Sequence, residues 1–208
     1  MTIILIDNQE IILRGVQSVV QTKLPSANYL CFSDLKEGIR SIEKEECHLL
    51  IMEVCWQQVN ARSLIQQVLS VKPNLPIIVF SFTPEKIYAK WILQSGARGF
   101  VSKHCSGNEL VSCIQTVLGG GHYLSQQLLN QLTQDFLSKR TVNPFEKLSP
   151  REMEICHFLL EGYYISEIAS IMQLHTSTIG THQHRILKKL GVKRVKEIRD
   201  LAQLYISD

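Results

Sequence analysis

Residues 2–10 read Thr2-Ile3-Ile4-Leu5-Ile6-Asp7-Asn8-Gln9-Glu10, an apolar run suited to a buried strand followed by an acidic turn. The pattern recurs along the first half of the chain. Apolar runs at 28–32, 49–52, 77–80 and 99–101 read as four further strands. Between them, residues 10–23, 35–44, 62–71 and 85–94 carry apolar side chains at helical spacing, and a fifth such segment, 109–118, follows the last strand. Strands alternating with helices need crossover connections, so the sheet is expected to be largely parallel and covered on both faces. In such sheets ligands lie beyond the carboxyl ends of the strands. Here those ends carry Asp7, Glu53, Ser81 and Lys103.

Gly119-Gly120-Gly121 closes this region. A Gln-rich polar stretch from Ser125 to Arg140 is expected to be helical, and residues 141–144 look like the end of a linker. From Leu148 the pattern is helical throughout. Ser149-Pro150-Arg151-Glu152 combines an N-cap serine, a proline in the first turn and a capping-box glutamate. Gly162 ends that helix. Helices at 166–172, 176–190 (closed by Gly191) and 195–206 follow. The expected division is 1–121, a helical linker 122–144, and 145–208. Four short helices with tight turns cannot enclose a sizeable active site, so a helix-turn-helix bundle suits the last segment and no enzymatic activity is expected.

A length of 208 residues accommodates two small domains, and 45% hydrophobic with 20% charged residues is ordinary for a chain that buries a core. No apolar run approaches the ~20 residues that span a bilayer, and the opening lacks a basic segment, so a cytoplasmic protein with no membrane partner is expected. The net charge of +3 decides little, but its distribution is informative. Arg185, Lys188, Lys189, Lys193, Arg194, Lys196 and Arg199 are opposed only by Glu197, a cationic patch suited to nucleic acid. The six cysteines form no CxxC pair, and the neighbours Cys47-His48 and His104-Cys105 lack further ligands, so no metal site is expected there.

With these residues in view, the chain resembles the NarL/FixJ family of response regulators. Leu148 to Glu152, Glu161-Gly162, Glu167-Ile168-Ala169, Thr178-Ile179, His182 and Lys189-Leu190-Gly191-Val192 follow the LuxR-type output signature in order and spacing. The resemblance implies a receiver-like α/β domain, a doubly wound five-stranded parallel sheet of flavodoxin-like type, followed by an all-α four-helix LuxR-type helix-turn-helix domain. It also implies double-stranded DNA as a partner and a homodimer on paired half-sites. By the family pattern, helix 176–190 is the recognition helix, with Gly180, Thr181 and His184 facing bases and Thr178, His182, Arg185, Lys188 and Lys189 completing the DNA-binding set. Phosphate contacts should supply most of the affinity. The chain departs from the family at Gly180, where lysine is usual, and at Tyr164 and His175, where serine caps are usual. Thr176 or Ser177 then stand as alternative caps for the recognition helix.

The resemblance carries into the receiver half with larger departures. Gly96 to Lys103 matches the fifth-strand segment, making Lys103 the phosphate-sensing lysine and Phe100 the switch aromatic. Ser81 takes the small hydroxyl position. Glu53 stands where the phosphoacceptor aspartate belongs, Asn8 replaces one of two aspartates beside Asp7, and Gln57-Gln58 replaces the usual Pro-Gly. Phosphotransfer needs an in-line carboxylate and an acid-held Mg²⁺. Asn8 removes a negative charge, so any Mg²⁺ at Asp7 and Glu53 is expected to be weak and no cofactor is expected. The extra methylene of glutamate moves the carboxylate by roughly 1.5 Å, a bond length, and a ~1 Å misplacement costs about 10²-fold in rate. The expectation is a DNA-binding transcription regulator that works without phosphorylation. The alternatives are an auxiliary protein that heterodimerises with an intact response regulator, or a conventionally phosphorylated regulator. Glu53 either holds the domain in an active-like state, engaged by Lys103 and Ser81, or forms a plain ion pair with Lys103.

Overall fold

The computed structural model describes residues 1–56, 59–138 and 143–204. Strands β1 (Thr2–Ile6), β2 (Asn28–Phe32), β3 (Leu49–Met52), β4 (Ile77–Ser81) and β5 (Gly99–Ser102) form one sheet in the order β2-β1-β3-β4-β5, every pairing parallel. The crossovers are α1 (Glu10–Gln21), α2 (Leu35–Lys44), α3 (Ala61–Val71) and α4 (Glu85–Gln94), and α5 (Gly107–Leu118) follows β5. Because side chains alternate across a strand, β1 and β3 each feed two cores. Ile3, Leu5, Leu49 and Ile51 pack with α1 and α5, whereas Ile4, Ile6, Leu50 and Met52 pack beneath α2, α3 and α4. Both faces are therefore apolar, as the near-continuous runs required. Gly38 of α2 sits hard against β1: a Cβ there would lie 2.6 Å from Ile6 Cδ1, so glycine lets the helix approach without displacing the Ile6 side chain.

Element ends differ from the pattern reading by a residue or two. The first helix stops at Gln21 rather than 23, three residues before Leu24, which Pro25 biases away from helical geometry. The fifth begins at Gly107 rather than 109, because Ser106 is its N-cap and accepts from the Glu109 N–H. Asn60 likewise caps α3 through the Ser63 N–H.

Helix α6 (Gln126–Ser138) follows, joined to the receiver where Glu85 accepts from the Ser125 N–H at 2.8 Å. The expected helix end at 139–140 and most of the linker end, 141–142, lie outside the described residues. A 3₁₀ turn at Pro144–Lys147, which the sequence reading missed, buries Phe145 fully at the start of the C-terminal helical bundle. Then come α7 (Pro150–Glu161), α8 (Ile165–Ile171), α9 (Thr176–Leu190) and α10 (Val195–Gln203). The expected end of α10 near 206 lies outside the described residues. The Ser149 capping box is present, with Glu152 N donating to Ser149 Oγ and Ser149 N donating to Glu152 Oε2 at 2.7 Å. Gly191, at φ +72°, closes α9 in the left-handed conformation. Ile168, Ala169, Ile179, Ile186 and Leu190 are buried, and Ile171 and Met172 pack at the edge of this core.

Candidate functional site

The strand ends bring Asp7, Glu53, Ser81 and Lys103 together. Lys103 Nζ lies 2.6 Å from Asp7 Oδ2 and 2.9 Å from Glu53 Oε2, and all three side chains are almost wholly buried. The second oxygen of Glu53, Oε1, accepts from the Val54 and Cys55 N–H groups at 2.7 and 2.9 Å. Trp56 Nε1 donates to the Glu53 carbonyl at 2.7 Å, which fixes the loop that follows β3. Burial pushes the Asp7 carboxyl above the ordinary aspartate value, against the opposing pull of Lys103 and the Gln9 N–H. Ser81 does not engage Glu53. Its hydroxyl accepts from the Thr83 N–H and meets Thr83 Oγ1, both at 3.2 Å, and lies 3.9 Å from Cys55 Sγ. Of the two partners expected for Glu53 in an active-like state, only Lys103 reaches it.

The same geometry bears on Mg²⁺. One oxygen each of Asp7 and Glu53 is occupied by the lysine ammonium, and both lone-pair directions of Glu53 Oε1 serve backbone donors. Asn8 contributes no charge, and the described residues contain no group of three His, Cys, Asp or Glu placed to hold an ion. This donor set does not fit the octahedral, oxygen-rich demands of Mg²⁺.

Phe100 is fully buried in the core beneath α4. Above Lys103 lies a different aromatic, Phe82, with the ammonium 5.0 Å from its ring centroid and the His104 ring 5.2 Å away. Sequence reasoning missed Phe82, although its place directly after Ser81 was a usable signal.

On α9, Thr181, His184, Arg185 and Lys188 are exposed, and Gly180 has open space around the site of a missing Cβ. Thr178 and His182 are half-buried, and His182 Nδ1 is buried without a hydrogen-bond partner among the described residues. Lys189 is also exposed, but its ammonium pairs with the buried Glu152 of α7 at 2.6 Å. The N-cap of α9 is His175 itself rather than Thr176 or Ser177. Its Nδ1 accepts from the Ser177 N–H at 3.4 Å and lies 2.8 Å from Ser177 Oγ. Tyr164 makes no side-chain cap and is 77% exposed; Glu167 instead reaches back to its N–H at 2.7 Å. Tyr163 packs edge-on against Phe158.

Where the two domains meet, α4 contacts α7. His157 Nδ1 lies 3.1 Å from Tyr88 OH, and its Nε2 lies 3.7 Å from Cys55 Sγ. Burial lowers the His157 imidazole to about 4, against an opposing pull from Glu53, and raises the Cys55 thiol to about 12. Trp91 is buried on the same helix as Tyr88. Outside this contact, Asn143 Nδ2 donates to the Lys86 carbonyl and Lys90 pairs with Glu146.

A five-stranded receiver fold carrying an acidic strand-end pocket, joined to a helix-turn-helix bundle, defines the class of response regulators. Residues 3–115 match the response regulator receiver domain family, and residues 146–202 match the bacterial regulatory proteins of the luxR family. The chain belongs to the response-regulator family, of NarL/FixJ type, with a LuxR-type DNA-binding domain. It is similar to the Fimbriae Z protein of Escherichia coli K12, at 26% identity over 98% of this chain and 97% of the relative. The oxygen regulatory protein NreC of Staphylococcus aureus is 30% identical over 62% of this chain and 63% of its own. In fold it matches RcsB of Salmonella enterica serovar Typhimurium, solved bound to promoter rprA with the phosphomimetic BeF3-, at a TM-score of 0.79 and 22% identity over 98% of each chain. No helix among the described residues is long and apolar enough to cross a membrane.

Proposed function

We propose that this protein regulates transcription by binding double-stranded DNA through the outer face of α9, as a homodimer in the cytoplasm, and that it does so without phosphorylation of Glu53. The observation that carries the last point is the clamped carboxylate. Glu53 is held by one ammonium and two backbone N–H groups, all at 2.9 Å or less, so the nucleophile that phosphotransfer needs is already fully engaged. Glu53 and Lys103 are best read as a structural ion pair, since Ser81 bonds elsewhere. Any Mg²⁺ at Asp7 and Glu53 would be weakly held.

DNA binding is supported by the family and by the exposed cations Arg185 and Lys188 on one helix face beside the polar Thr181 and His184. Side chains of these types reach phosphates and base edges in a major groove. RcsB, of the same fold, has been solved as two dimers bound to two parallel DNAs, which suits a paired half-site arrangement. The Lys189–Glu152 pair argues against a phosphate contact from Lys189. The test is whether purified protein, with no phosphodonor and no second regulator, shifts promoter DNA in preference to random duplex. A shift that appears only when an intact response regulator is added would favour the heterodimer reading.

A further inference from the structure

The N-terminal half of α9 is short of polar groups that are free to read bases. Ser177, Gly180, Thr181 and His184 follow at three- and four-residue spacing and share one face of the helix, on which Ser177, Thr181 and His184 are exposed. Ser177 Oγ is taken up by its neighbour, 2.8 Å from His175 Nδ1. Thr181 Oγ1 donates to the Ser177 carbonyl at 3.0 Å, one turn back in the same helix. Gly180 contributes no side chain, and nothing lies within 4 Å of the place its Cβ would take. Before His184, this face therefore holds two engaged hydroxyls and a gap.

That chemistry narrows what the face can select. Readout by hydrogen bonds rests on arginine or lysine for guanine, asparagine or glutamine for adenine, and carboxylates for cytosine. None of these stands at 177, 180 or 181. Serine and threonine serve any base with a free hydroxyl, and here both hydroxyls are engaged within the helix end itself. With its hydroxyl turned back, Thr181 is left with its methyl group to present. The major groove offers one apolar feature, the 5-methyl group of thymine, which a threonine methyl can contact. The gap at Gly180 lets a base come close to the helix backbone, a common use of glycine.

We propose that Gly180 and Thr181 determine specificity by recognising a thymine, whose 5-methyl group enters the gap at Gly180 and packs on the Thr181 methyl. The proposal rests on the reading of α9 as the helix that enters the groove, and adds what that helix selects. Arg185 and Lys188, further along, supply affinity that is blind to sequence.

The test starts from duplexes selected out of a random pool by the full-length protein with no phosphodonor. Each thymine of the selected site is then replaced in turn by deoxyuridine, which pairs identically and lacks only the 5-methyl group. One thymine per half-site is expected to show a loss of about fourfold in affinity, the factor equivalent to the roughly 0.8 kcal/mol of one buried methyl-sized group. Thr181→Val, which keeps a methyl and lacks the hydroxyl, should retain that factor. Thr181→Ser, which keeps the hydroxyl and lacks the methyl, should bind both duplexes alike. Gly180→Lys fills the gap and should also bind the two alike, while holding random duplex at least as tightly as the wild type. Wild-type indifference to every uracil, or a factor that survives in Thr181→Ser or Gly180→Lys, would overturn the proposal. So would a factor lost in Thr181→Val, which would make the hydroxyl the reader. A protein that selects no sequence at all would instead overturn the DNA-binding reading on which the proposal stands.

Discussion

The imidazole of His157, in the DNA-binding domain, meets the Tyr88 hydroxyl of the receiver at 3.1 Å, with their rings 5.2 Å apart and nearly perpendicular. Sixty-nine residues separate the two in sequence. This contact and the neighbouring Cys55 tie the output domain to the loop that follows Glu53. Docking in this arrangement leaves Thr181, His184, Arg185 and Lys188 of α9 exposed.

Docking at this joint should weaken with acid. Burial holds His157 at about 4, whereas a free histidine titrates near 6.5. Above pH ~6.5 the imidazole is neutral whether docked or released, and docking is at full strength. Between about 6.5 and 4 the released form takes a proton that the docked form refuses, so docking is progressively lost as pH falls. The ceiling is about 3 kcal/mol, the free-energy equivalent of that gap. Small-angle scattering across this range should show the molecule extending as pH drops, and His157→Gln should flatten the response.

Removing the clamp should cost stability. In Lys103→Met, Asp7 and Glu53 are left buried without their cation, a change that typically costs about 3–5 kcal/mol. Urea unfolding of the variant should show a much lower midpoint at neutral pH and a partial recovery in mild acid, where the carboxyls protonate.

Gly180 lies in the middle of α9 with nothing within 4 Å of the position a Cβ would take. Gly180→Ala should therefore stabilise the domain by about 0.5–1 kcal/mol, because glycine's extra backbone freedom is removed without a clash. Thermal unfolding checks this directly. A lower melting temperature would mean that the helix is more crowded there than the geometry shows.

Arg185→Ala and Lys188→Ala should each weaken DNA binding almost equally on specific and random duplex. Each should also reduce the slope of log K against log salt by about 1, the signature of one lost phosphate contact. Lys189→Ala should chiefly lower stability, since Lys189 pairs with Glu152. A salt slope altered by Lys189→Ala, with stability unchanged, would reverse that assignment.

The sheet was readable because both of its faces are buried, so its strands stand out as uninterrupted apolar runs such as Thr2–Ile6 and Leu49–Met52. The Ser149 capping box was equally plain, because a cap is a local matter of side chains three residues apart. The convergence of Asp7, Glu53, Ser81 and Lys103 followed from parallel topology, which puts all strand ends on one side. What stayed hidden depends on long-range packing. Nothing near His157 in sequence points to Tyr88, and nothing near Lys189 points to Glu152 37 residues earlier. The capping role of His175 was only partly legible, because histidine is not among the usual cap residues and Thr176 and Ser177 stood beside it, although its Nδ1 accepts as an aspartate oxygen would. The failure of Ser81 to reach Glu53 turns on Thr83, whose N–H and hydroxyl both lie against Ser81 Oγ.

The most direct measurement is a paired experiment on purified full-length protein, with intact mass and promoter DNA affinity recorded before and after incubation with acetyl phosphate and Mg²⁺. The clamped Glu53 predicts an unchanged mass and specific DNA binding of the same strength in both samples. A stoichiometric phosphate adduct accompanied by tighter DNA binding would contradict the account at its centre.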